Sequence, residues 1–175
     1  MCDGASIFSE AHIILIAACD CARGIGKGGE IPWDCQEDRL FFRRQTMGKP
    51  LLMGRRTYES LPIRPLPGRP CAVWSRRERG ETSDVLFHSD LSALVAWGMA
   101  RGETLYGAGG AQLYRACLPY SDAILLSRIP SFYDCDCYFP EIPEGYRLEK
   151  TVEFSTFKLE YWINSRKRTQ SKFVF

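Results

Sequence analysis

Asp38 is a carboxylate in a position where it could carry chemistry. It falls in the first turn of a predicted helix over residues 36–47, and Phe41 and Phe42 follow three and four residues later. Aromatic neighbours desolvate a carboxylate and raise its pKa, whereas the helix N-terminus lowers it. Such a carboxylate can accept two parallel N–H bonds from a planar heterocycle. The alternative is a first-turn acid that only complements the helix dipole, a role that Glu37 fits better.

Two further features favour a ligand that carries phosphate. Gly109 and Gly110 lie at the start of a predicted helix over 110–117, so backbone N–H groups would face a pyrophosphate there. The stretch from Arg55 to Arg79 holds seven Arg and two Glu, a net charge of +5. Each signal is weak alone, because glycine turns and solvated arginines are common. The glycines do not form a complete G-x-G-x-x-G motif, so an ordinary Rossmann domain is not indicated.

Strands and helices alternate around these residues. The apolar run 12–19 predicts a strand that is buried on both faces, and a glycine-rich loop over 23–33 follows it. Asp34 and Glu37 have the spacing of a capping box at the start of the helix that carries Asp38. Further strands are predicted at 50–54, 71–75, 84–88, 104–106 and 123–129, and further helices at 55–61 and from Asp90 to about 101. A hairpin is predicted near Ser155. The pattern predicts one α/β domain with a mostly parallel sheet.

Length and composition exclude several classes of protein. The 175 residues fit one domain, and a 45% hydrophobic content argues against disorder. A net charge of +2 argues against a dedicated nucleic-acid binder, and the +5 stretch lacks the aromatic platform that RNA binding needs. The longest apolar run, Ile13 to Cys19, is too short to span a bilayer, and the N-terminus does not resemble a signal peptide.

The eight cysteines could form disulfides, bind a metal or remain as free thiols. There is no C-x-x-C pair, and only His12 and His88 could join a metal site. We therefore expect reduced, mostly buried thiols in a cytoplasmic protein, without a metal. Cys35 lies beside the junction that leads to Asp38, and it is the thiol whose reactivity we would test.

A series of short motifs follows the chain from about residue 12 to residue 163. In order, these are Ile16-Ala-Ala18, Gly24-Ile-Gly26, Ile31-Pro-Trp33, Asp38 with Phe42 and Thr46, Lys49-Pro50, the run from Met53 to Ser60, the run from Arg64 to Arg69, Gly107 to Gly110 with Tyr114, and Tyr138-Phe-Pro140. Their order and spacing resemble those of the dihydrofolate reductases. The combination is highly specific, because every motif lies at a compatible distance from the next.

The resemblance implies both a fold and an activity. The fold is a single dihydrofolate-reductase-like domain over residues 12–164, with a central, mostly parallel eight-stranded sheet, flanking helices and an antiparallel C-terminal strand. Residues 1–11 would be an extension and residues 165–175 a basic, flexible tail. The activity is the NADPH-dependent reduction of 7,8-dihydrofolate to tetrahydrofolate, which supplies one-carbon metabolism and thymidylate synthesis. Hydride would pass from nicotinamide C4 to pterin C6, with protonation at N5. We also expect antifolate-type inhibitors, a cytoplasmic location and a monomer, with a dimer as the alternative.

The resemblance also assigns roles to residues. Asp38 would bind the pterin and favour protonation of N5, and Trp33 would close over the nicotinamide and hold a water. Arg69 would pair with the α-carboxylate of the glutamate tail. The other substrate-binding residues would be Ile16, Ala17, Arg39, Phe42, Leu66 and Ser127. The cofactor-binding residues would be Ala18, Ile25, Gly26, Gly54, Arg55, Arg56, Thr57, Ser60, Ser75, Arg76, Ala108, Gly109, Gly110, Ala111, Gln112 and Tyr114. Among these, Arg55, Arg56, Ser75 and Arg76 would surround the 2′-phosphate.

Two alternatives share parts of this pattern. A pyrimidine reductase of the riboflavin pathway has a similar fold and uses NADPH, and a non-catalytic module could bind NADPH or folate without reacting. The combination of Trp33, Asp38 and Arg69 argues against the pyrimidine reductase, because it suits a pterin with a carboxylate tail. The presence of both Asp38 and Trp33 argues against the non-catalytic module. The sequence departs from the family at Arg39, which replaces an apolar residue, and at Ala108, which replaces a larger one.

Overall fold

The computed structural model describes residues 4–77 and 80–167. The strands are β1 (Ile13–Cys19), β2 (Gly24–Gly26), β3 (Leu51–Gly54), β4 (Cys71–Trp74), β5 (Val85–His88), β6 (Leu105–Gly107), β7 (Ala123–Arg128), β8 (Cys137–Tyr138), β9 (Tyr146–Glu153) and β10 (Lys158–Asn164). The helices are α1 (Gly4–Glu10), α2 (Gln36–Thr46), α3 (Arg55–Ser60), α4 (Leu91–Met99) and α5 (Ala111–Cys117), and a short 3₁₀ turn follows at Leu118–Tyr120.

Eight strands form one sheet in the order β5-β4-β3-β6-β1-β7-β10-β9. The pairs from β5 to β7 are all parallel, and β10 is antiparallel to both β7 and β9. The predicted mostly parallel sheet with an antiparallel C-terminal strand is confirmed. Because β1, β3, β4 and β6 are parallel neighbours, the loops that follow them all lie along one edge of the sheet.

The sheet is covered on both faces, as the apolar sequence of β1 predicts. Ile13 and Leu15 point into one hydrophobic cluster, and Ile14 and Ile16 point into the other. All four side chains are at most 4% exposed. The second cluster also contains Trp33 and, at its border, aromatic residues of α2. The face of β1 that carries Ile16 therefore lies next to the helix that carries Asp38.

The start of α2 differs from the prediction. The N-cap residue is Cys35, and no side chain caps the helix. The predicted capping box of Asp34 and Glu37 is wrong, because both carboxylates have other partners: Asp34 pairs with Arg39, and Glu37 accepts hydrogen bonds from Thr156. The cap predicted at Asp90 is confirmed, since its carboxylate accepts a hydrogen bond from the backbone N–H of Ser92 at 2.8 Å.

The segments at the two ends of the domain pack onto it as far as the structure describes them. Residues 4–10 form α1, which the sequence analysis did not predict, and Phe8 stacks on Tyr120 at a ring-centroid distance of 4.4 Å. Lys167 donates hydrogen bonds to the backbone carbonyl of Ala11 (2.8 Å) and to Asp122 (3.2 Å). The remainder of the predicted flexible tail, from residue 168 onward, lies outside the described residues.

Seven of the eight cysteines lie in the described part of the chain, and none of these seven is disulfide-bonded. Five of them are buried, among them Cys19, Cys71 and Cys117, and burial raises the pKa of Cys71 and of Cys117 to about 12. The prediction of mostly buried thiols is confirmed for these residues. Within the same ranges, no helix has the length and apolar character that crossing a membrane requires.

Candidate active site

Asp38 lies in the first turn of α2, half-buried between the helix and the sheet. Burial is the largest influence on this carboxylate and raises its pKa above the ordinary value. A hydrogen bond with the buried Ser127 of β7 and the positive charge of Arg39 act in the opposite direction but do not outweigh burial. The structure therefore brings Asp38 and Ser127 together, as the sequence analysis expects.

The turn between β9 and β10 holds the start of α2 in place. The carboxylate of Glu37 accepts hydrogen bonds from the backbone N–H (2.9 Å) and the hydroxyl (2.7 Å) of Thr156. The same hydroxyl lies 3.2 Å from the Sγ of Cys35, a residue that is 8% exposed. Cys35 is thus a packed, hydrogen-bonded N-cap residue and not an exposed thiol. Sequence reasoning missed this contact, because the partners are about 120 residues apart.

Trp33 is buried at the end of the loop that precedes α2. Its ring packs against the ring of Tyr133 with centroids 5.4 Å apart. Phe42 lies at the border of the same hydrophobic cluster, together with Leu66 and Ala108. The predicted pocket residues Ile16, Trp33, Phe42 and Leu66 therefore belong to one cluster. Tyr133 joins them, although no motif had indicated it.

Arg69 is a buried cation near the other end of α2. It is 7% exposed, and its side chain donates hydrogen bonds to the hydroxyl of Thr46 (3.4 Å) and the backbone carbonyl of Pro67 (3.3 Å). Burial, together with the nearby guanidinium of Arg43, lowers the pKa of Arg69. Both hydrogen-bond acceptors are neutral, and no carboxylate in the described ranges forms an ion pair with it. A guanidinium in this setting is suited to an anionic ligand.

Thr46 connects the Arg69 guanidinium to the helix. Its hydroxyl donates a hydrogen bond to the backbone carbonyl of Phe42 at 2.7 Å and accepts the one from Arg69. Asp38 and Thr46 are eight residues apart, so they are separated by about 12 Å along the helix axis. The site thus has an acid at one end and a buried cation at the other.

Arg39 does not face this space. Its guanidinium pairs with Asp34, and its side chain is largely exposed. A contact of Arg39 with substrate would require that pair to break, and it stays a prediction. Ala17 also differs from its neighbours on β1, because it packs with the cluster on the opposite face of the sheet from Ile16 and Ala18, near Ile25.

Gly54, at the end of β3, and Gly109 and Gly110, which follow β6, meet at one edge of the sheet, which we call the glycine edge. The backbone N–H of Gly54 donates a 2.7 Å hydrogen bond to the carbonyl of Gly109, and the Gly109–Gly110 peptide bond is cis. Gly109 has a φ of +110°, and a Cβ atom there would lie 3.3 Å from the Tyr114 hydroxyl. At Gly110 a Cβ atom would lie 3.3 Å from the Thr57 hydroxyl. Side chains would fill this space, which the glycines leave open to a ligand.

Tyr114 connects the helix that follows the glycine edge to the sheet. It is 4% exposed and donates a 2.8 Å hydrogen bond to the backbone carbonyl of Ile16, so it joins α5 to β1. Burial raises its pKa far above the usual value. Ala111 and Gln112 form the first turn of α5 beside it, half-buried and exposed respectively. The predicted residues of α5 therefore lie next to the glycine edge.

Four basic or hydroxyl-bearing residues follow β3 and β4 at this edge. Gly54 pairs with Trp74 in the sheet, so Arg55 and Arg56 emerge beside Ser75 and Arg76. Arg56 and Arg76 are exposed, whereas Arg55 pairs with Glu59 at 2.7 Å. Ser75 is buried and accepts a hydrogen bond from the backbone N–H of Arg77, and Ser60 donates to the carbonyl of Thr57. The edge thus places arginines where a phosphate could bind.

The loop from residue 21 to residue 33 covers the neighbouring part of the edge. The sequence predicts an irregular glycine-rich loop, but Gly24–Gly26 forms β2 and pairs with β8. The backbone N–H of Asp136 donates to the carbonyl of Gly26 (3.0 Å), and its carboxylate accepts from the N–H of Gly28 (2.8 Å). Gly26 and Gly28 are held in this way against residue 136. Within residues 4–77 and 80–167, no cluster of His, Cys, Asp or Glu is arranged to hold a metal ion.

The raised pKa of Asp38 predicts a pH-dependent cost in stability. An acid whose pKa is higher in the folded protein than in the unfolded chain destabilises the fold fully above the folded pKa, and not at all below the unfolded pKa of about 3.9. We expect Asp38→Asn to increase the free energy of unfolding at pH 7, and this gain to shrink toward pH 4. Urea titrations from pH 4 to pH 8 measure it. Asp84→Asn, in an exposed loop, is the control; a pH-independent gain would contradict the raised pKa.

The chain is similar in sequence to known proteins of one family. Residues 12–166 match the family described as dihydrofolate reductase. The chain is 38% identical over 145 residues to the dihydrofolate reductase of Neisseria meningitidis, an alignment that covers 80% of this chain and 89% of that protein. It is 40% identical over 129 residues to the type 3 dihydrofolate reductase of Salmonella typhimurium, covering 74% of this chain and 78% of that one.

A solved structure agrees with these sequence matches. The dihydrofolate reductase of Enterococcus faecalis, in complex with NADP(H) and RAB-propyl, superposes with a TM-score of 0.78 at 25% identity. The superposition covers 88% of this chain and 96% of that chain. The match over residues 12–166 and the identity to the Neisseria relative, of which the chain covers 89%, show that the chain belongs to the dihydrofolate reductase family.

Proposed function

We propose that the pocket between α2 and the sheet carries the activity of the family, the NADPH-dependent reduction of 7,8-dihydrofolate to tetrahydrofolate. One observation carries this proposal: a half-buried acid, Asp38, lies at one end of α2, and a buried cation, Arg69, lies near the other end. Dihydrofolate has hydrogen-bond donors on its pterin and a carboxylate on its glutamate tail. Its two polar ends match the two charges, and its aromatic middle matches the apolar cluster between them.

Asp38 would bind and polarise the pterin. Its two carboxylate oxygens would accept the 2-amino and N3 hydrogens, and its negative charge would favour a proton on N5. Reduction of the C6–N5 double bond needs that proton as well as a hydride, and the bound NADPH supplies the hydride from its nicotinamide C4. The raised pKa of Asp38 keeps the carboxylate a better base than an exposed aspartate. Ser127, hydrogen-bonded to Asp38, would fix the orientation of its carboxylate.

The apolar residues would exclude water and hold the rings. Ile16 and Phe42 would line the pterin, and Leu66 the aminobenzoyl ring. Ala17, whose side chain packs on the opposite face of the sheet, would meet the pterin only through its backbone. Trp33, supported by Tyr133, would close over the reacting atoms and hold the one water that delivers a proton. A closed, dry site strengthens the charge of Asp38, because fewer water dipoles screen it.

The glycine edge would hold the cofactor, and its residues fit one. Gly54, Gly109 and Gly110 leave a space that Cβ atoms would occupy, and backbone N–H groups there could meet a pyrophosphate together with Thr57. Arg56 and Arg76 would meet the 2′-phosphate with Ser75, whereas Arg55 would have to give up part of its contact with Glu59. Ala18, Ile25, Gly26 and Ser60 would contact the nicotinamide ribose, and Ala108, Ala111, Gln112 and Tyr114 would complete the site.

We also propose that the protein is a cytoplasmic monomer. The seven described cysteines are unpaired, which suits a reducing compartment. Most of the large exposed apolar side chains, such as Ile31, Ile63 and Leu148, belong to separate segments of the chain, whereas Leu40 and Met47 lie close together at α2. Antifolates, which mimic the pterin, would bind through the same contact with Asp38.

Replacing Arg69 tests whether the pocket binds a folate tail. We expect Arg69→Gln to lower kcat/KM for dihydrofolate by about tenfold to a hundredfold, because a charge-assisted hydrogen bond contributes about 1.5–3 kcal/mol. A dihydropterin without the glutamate tail should react with both proteins at the same rate. Arg64→Gln, in the exposed part of the same loop, is the control. An equal loss with both substrates would contradict the tail assignment, and no dihydrofolate-dependent oxidation by wild type would contradict the activity.

Replacing the edge arginines tests the preference for NADPH. The double variant Arg56→Gln/Arg76→Gln should raise KM for NADPH by about tenfold or more, since in this proposal each guanidinium would form charge-assisted bonds only with the 2′-phosphate. KM for NADH should stay unchanged, because NADH lacks that phosphate. Steady-state kinetics with both cofactors measure the difference. Arg147→Gln, on the exposed side of β9, should leave both values unchanged, and equal losses for the two cofactors in the double variant would refute the assignment.

A further inference from the structure

Asp20 is a fully buried carboxylate that takes no part in the proposed chemistry. It directly follows β1 and is 0% exposed. Its Oδ1 accepts hydrogen bonds from the N–H groups of Ala22 (2.9 Å) and Gly24 (2.7 Å). Its Oδ2 accepts one from the N–H of Tyr133 (3.1 Å) and another from the thiol of Cys135 (3.8 Å). Burial alone would raise the pKa of Asp20, but the backbone donors and the thiol lower it below its ordinary value, so the group stays ionised.

The two oxygens of the Asp20 carboxylate accept hydrogen bonds from different segments of the chain. The bonds of Oδ1 are local and shape the turn that leads into β2. The bonds of Oδ2 reach a segment that lies more than 110 residues further along the chain. Tyr133 is also the residue whose ring packs against Trp33. Asp20 therefore fixes the backbone of the residue that supports Trp33.

The two segments are in contact down to their backbones. A Cβ atom on Gly24 would lie 2.4 Å from the Cβ of Cys135 and 3.0 Å from the Oδ1 of Asp20, which is too close for any residue but glycine. Ile25 and Gly26, the next residues, are those assigned to the nicotinamide ribose. Any separation of Gly24 from Cys135 would move them.

We propose that Asp20 is a positioning residue that joins the 21–33 loop to the 131–135 segment and thereby holds Trp33, Ile25 and Gly26 in place for the cofactor and substrate. The proposal rests on the proposed function, because it assigns these three residues to that site. Asp20 itself touches neither ligand. Its charge is needed because four donors converge on it, and a neutral side chain could not accept from all of them.

Asp20→Asn tests the bridge with little change in volume. The single amide oxygen can replace Oδ1 and keep the local turn, but the amide NH₂ would then face the N–H of Tyr133 and the thiol of Cys135. We expect the Kd for NADPH, measured by fluorescence titration without substrate, to rise about tenfold, as it does when only about a tenth of the molecules keep a binding-competent loop. Hydrogen exchange in residues 21–33 should become faster. The pH dependence of turnover, which Asp38 sets, should not move.

The matched control is Asp122→Asn. Asp122 is a buried carboxylate at the other end of β1, where it accepts hydrogen bonds from the N–H of Ile13 (2.9 Å) and from Lys167 (3.2 Å). Its replacement should lower the free energy of unfolding without changing the Kd for NADPH or the exchange of residues 21–33. This comparison separates the loss of a buried charged acceptor in general from the specific loss of the bridge.

A second pair of variants tests the same contact without changing Asp20, and remains informative if Asp20→Asn does not fold. Gly24→Ala should push the two segments apart and raise the Kd for NADPH. Gly24→Ala/Cys135→Gly removes the two atoms that would lie closest to the new methyl group, the Cβ and Sγ of Cys135, and should recover part of the affinity, although the 3.0 Å approach to the Oδ1 of Asp20 remains. Unchanged affinity and exchange in Asp20→Asn, or no recovery in the double variant, would overturn the proposal. Both measurements need no turnover, so a wild type that binds NADPH without reducing dihydrofolate would count against the proposed function alone.

Discussion

The separation of two opposite charges along α2 is the constraint on which the rest of the structure depends. Asp38 is partly desolvated at the start of the helix. Arg69 is buried near the other end of the helix, where it donates a hydrogen bond to the hydroxyl of Thr46. Each burial is unfavourable for the isolated protein, because it disfavours the charged form of the side chain. A site that keeps an acid and a cation in such positions is organised for a ligand that meets both of them.

Much of the remaining fold can be understood as support for this helix. Glu37 and Cys35 fasten its first turn to the β9–β10 hairpin, and Ser127 reaches Asp38 from β7. The parallel strands bring the glycine and arginine loops to one edge beside it. Asp20 accepts a hydrogen bond from the backbone N–H of Tyr133, whose ring packs against Trp33 at the end of the loop that precedes α2. Contacts from the β9–β10 hairpin and from β7 therefore converge on the first turn of α2, and rigid support of this kind gives a reacting group a fixed geometry.

The sequence was sufficient to predict most of the elements in their order, and it named most of the residues that the structure brings together around α2. Apolar runs and helix periodicity are local signals, so β1, α2 and the parallel sheet could be predicted from them, and the motif series located Asp38 and Arg69. Contacts between distant segments leave no such signal. Nothing near Glu37 indicates that Thr156 is its partner, and the capping-box pattern at Asp34 favoured a local contact that the fold replaced. Asp20 likewise follows an apolar strand without a motif, and its role depends on residues 133 and 135.

The measurement that tests the central claim most directly is the rate of NADPH oxidation with dihydrofolate, from pH 5 to pH 9, for the wild type and for Asp38→Asn. If the charge of Asp38 supplies the bias toward a protonated N5, the wild type will turn over at neutral pH, and the variant will be slower by a factor on the order of 10²–10⁴. The wild-type pH profile should also contain an ionisation that the variant lacks. A variant that keeps the full rate at pH 7, with the same pH profile, would contradict the account.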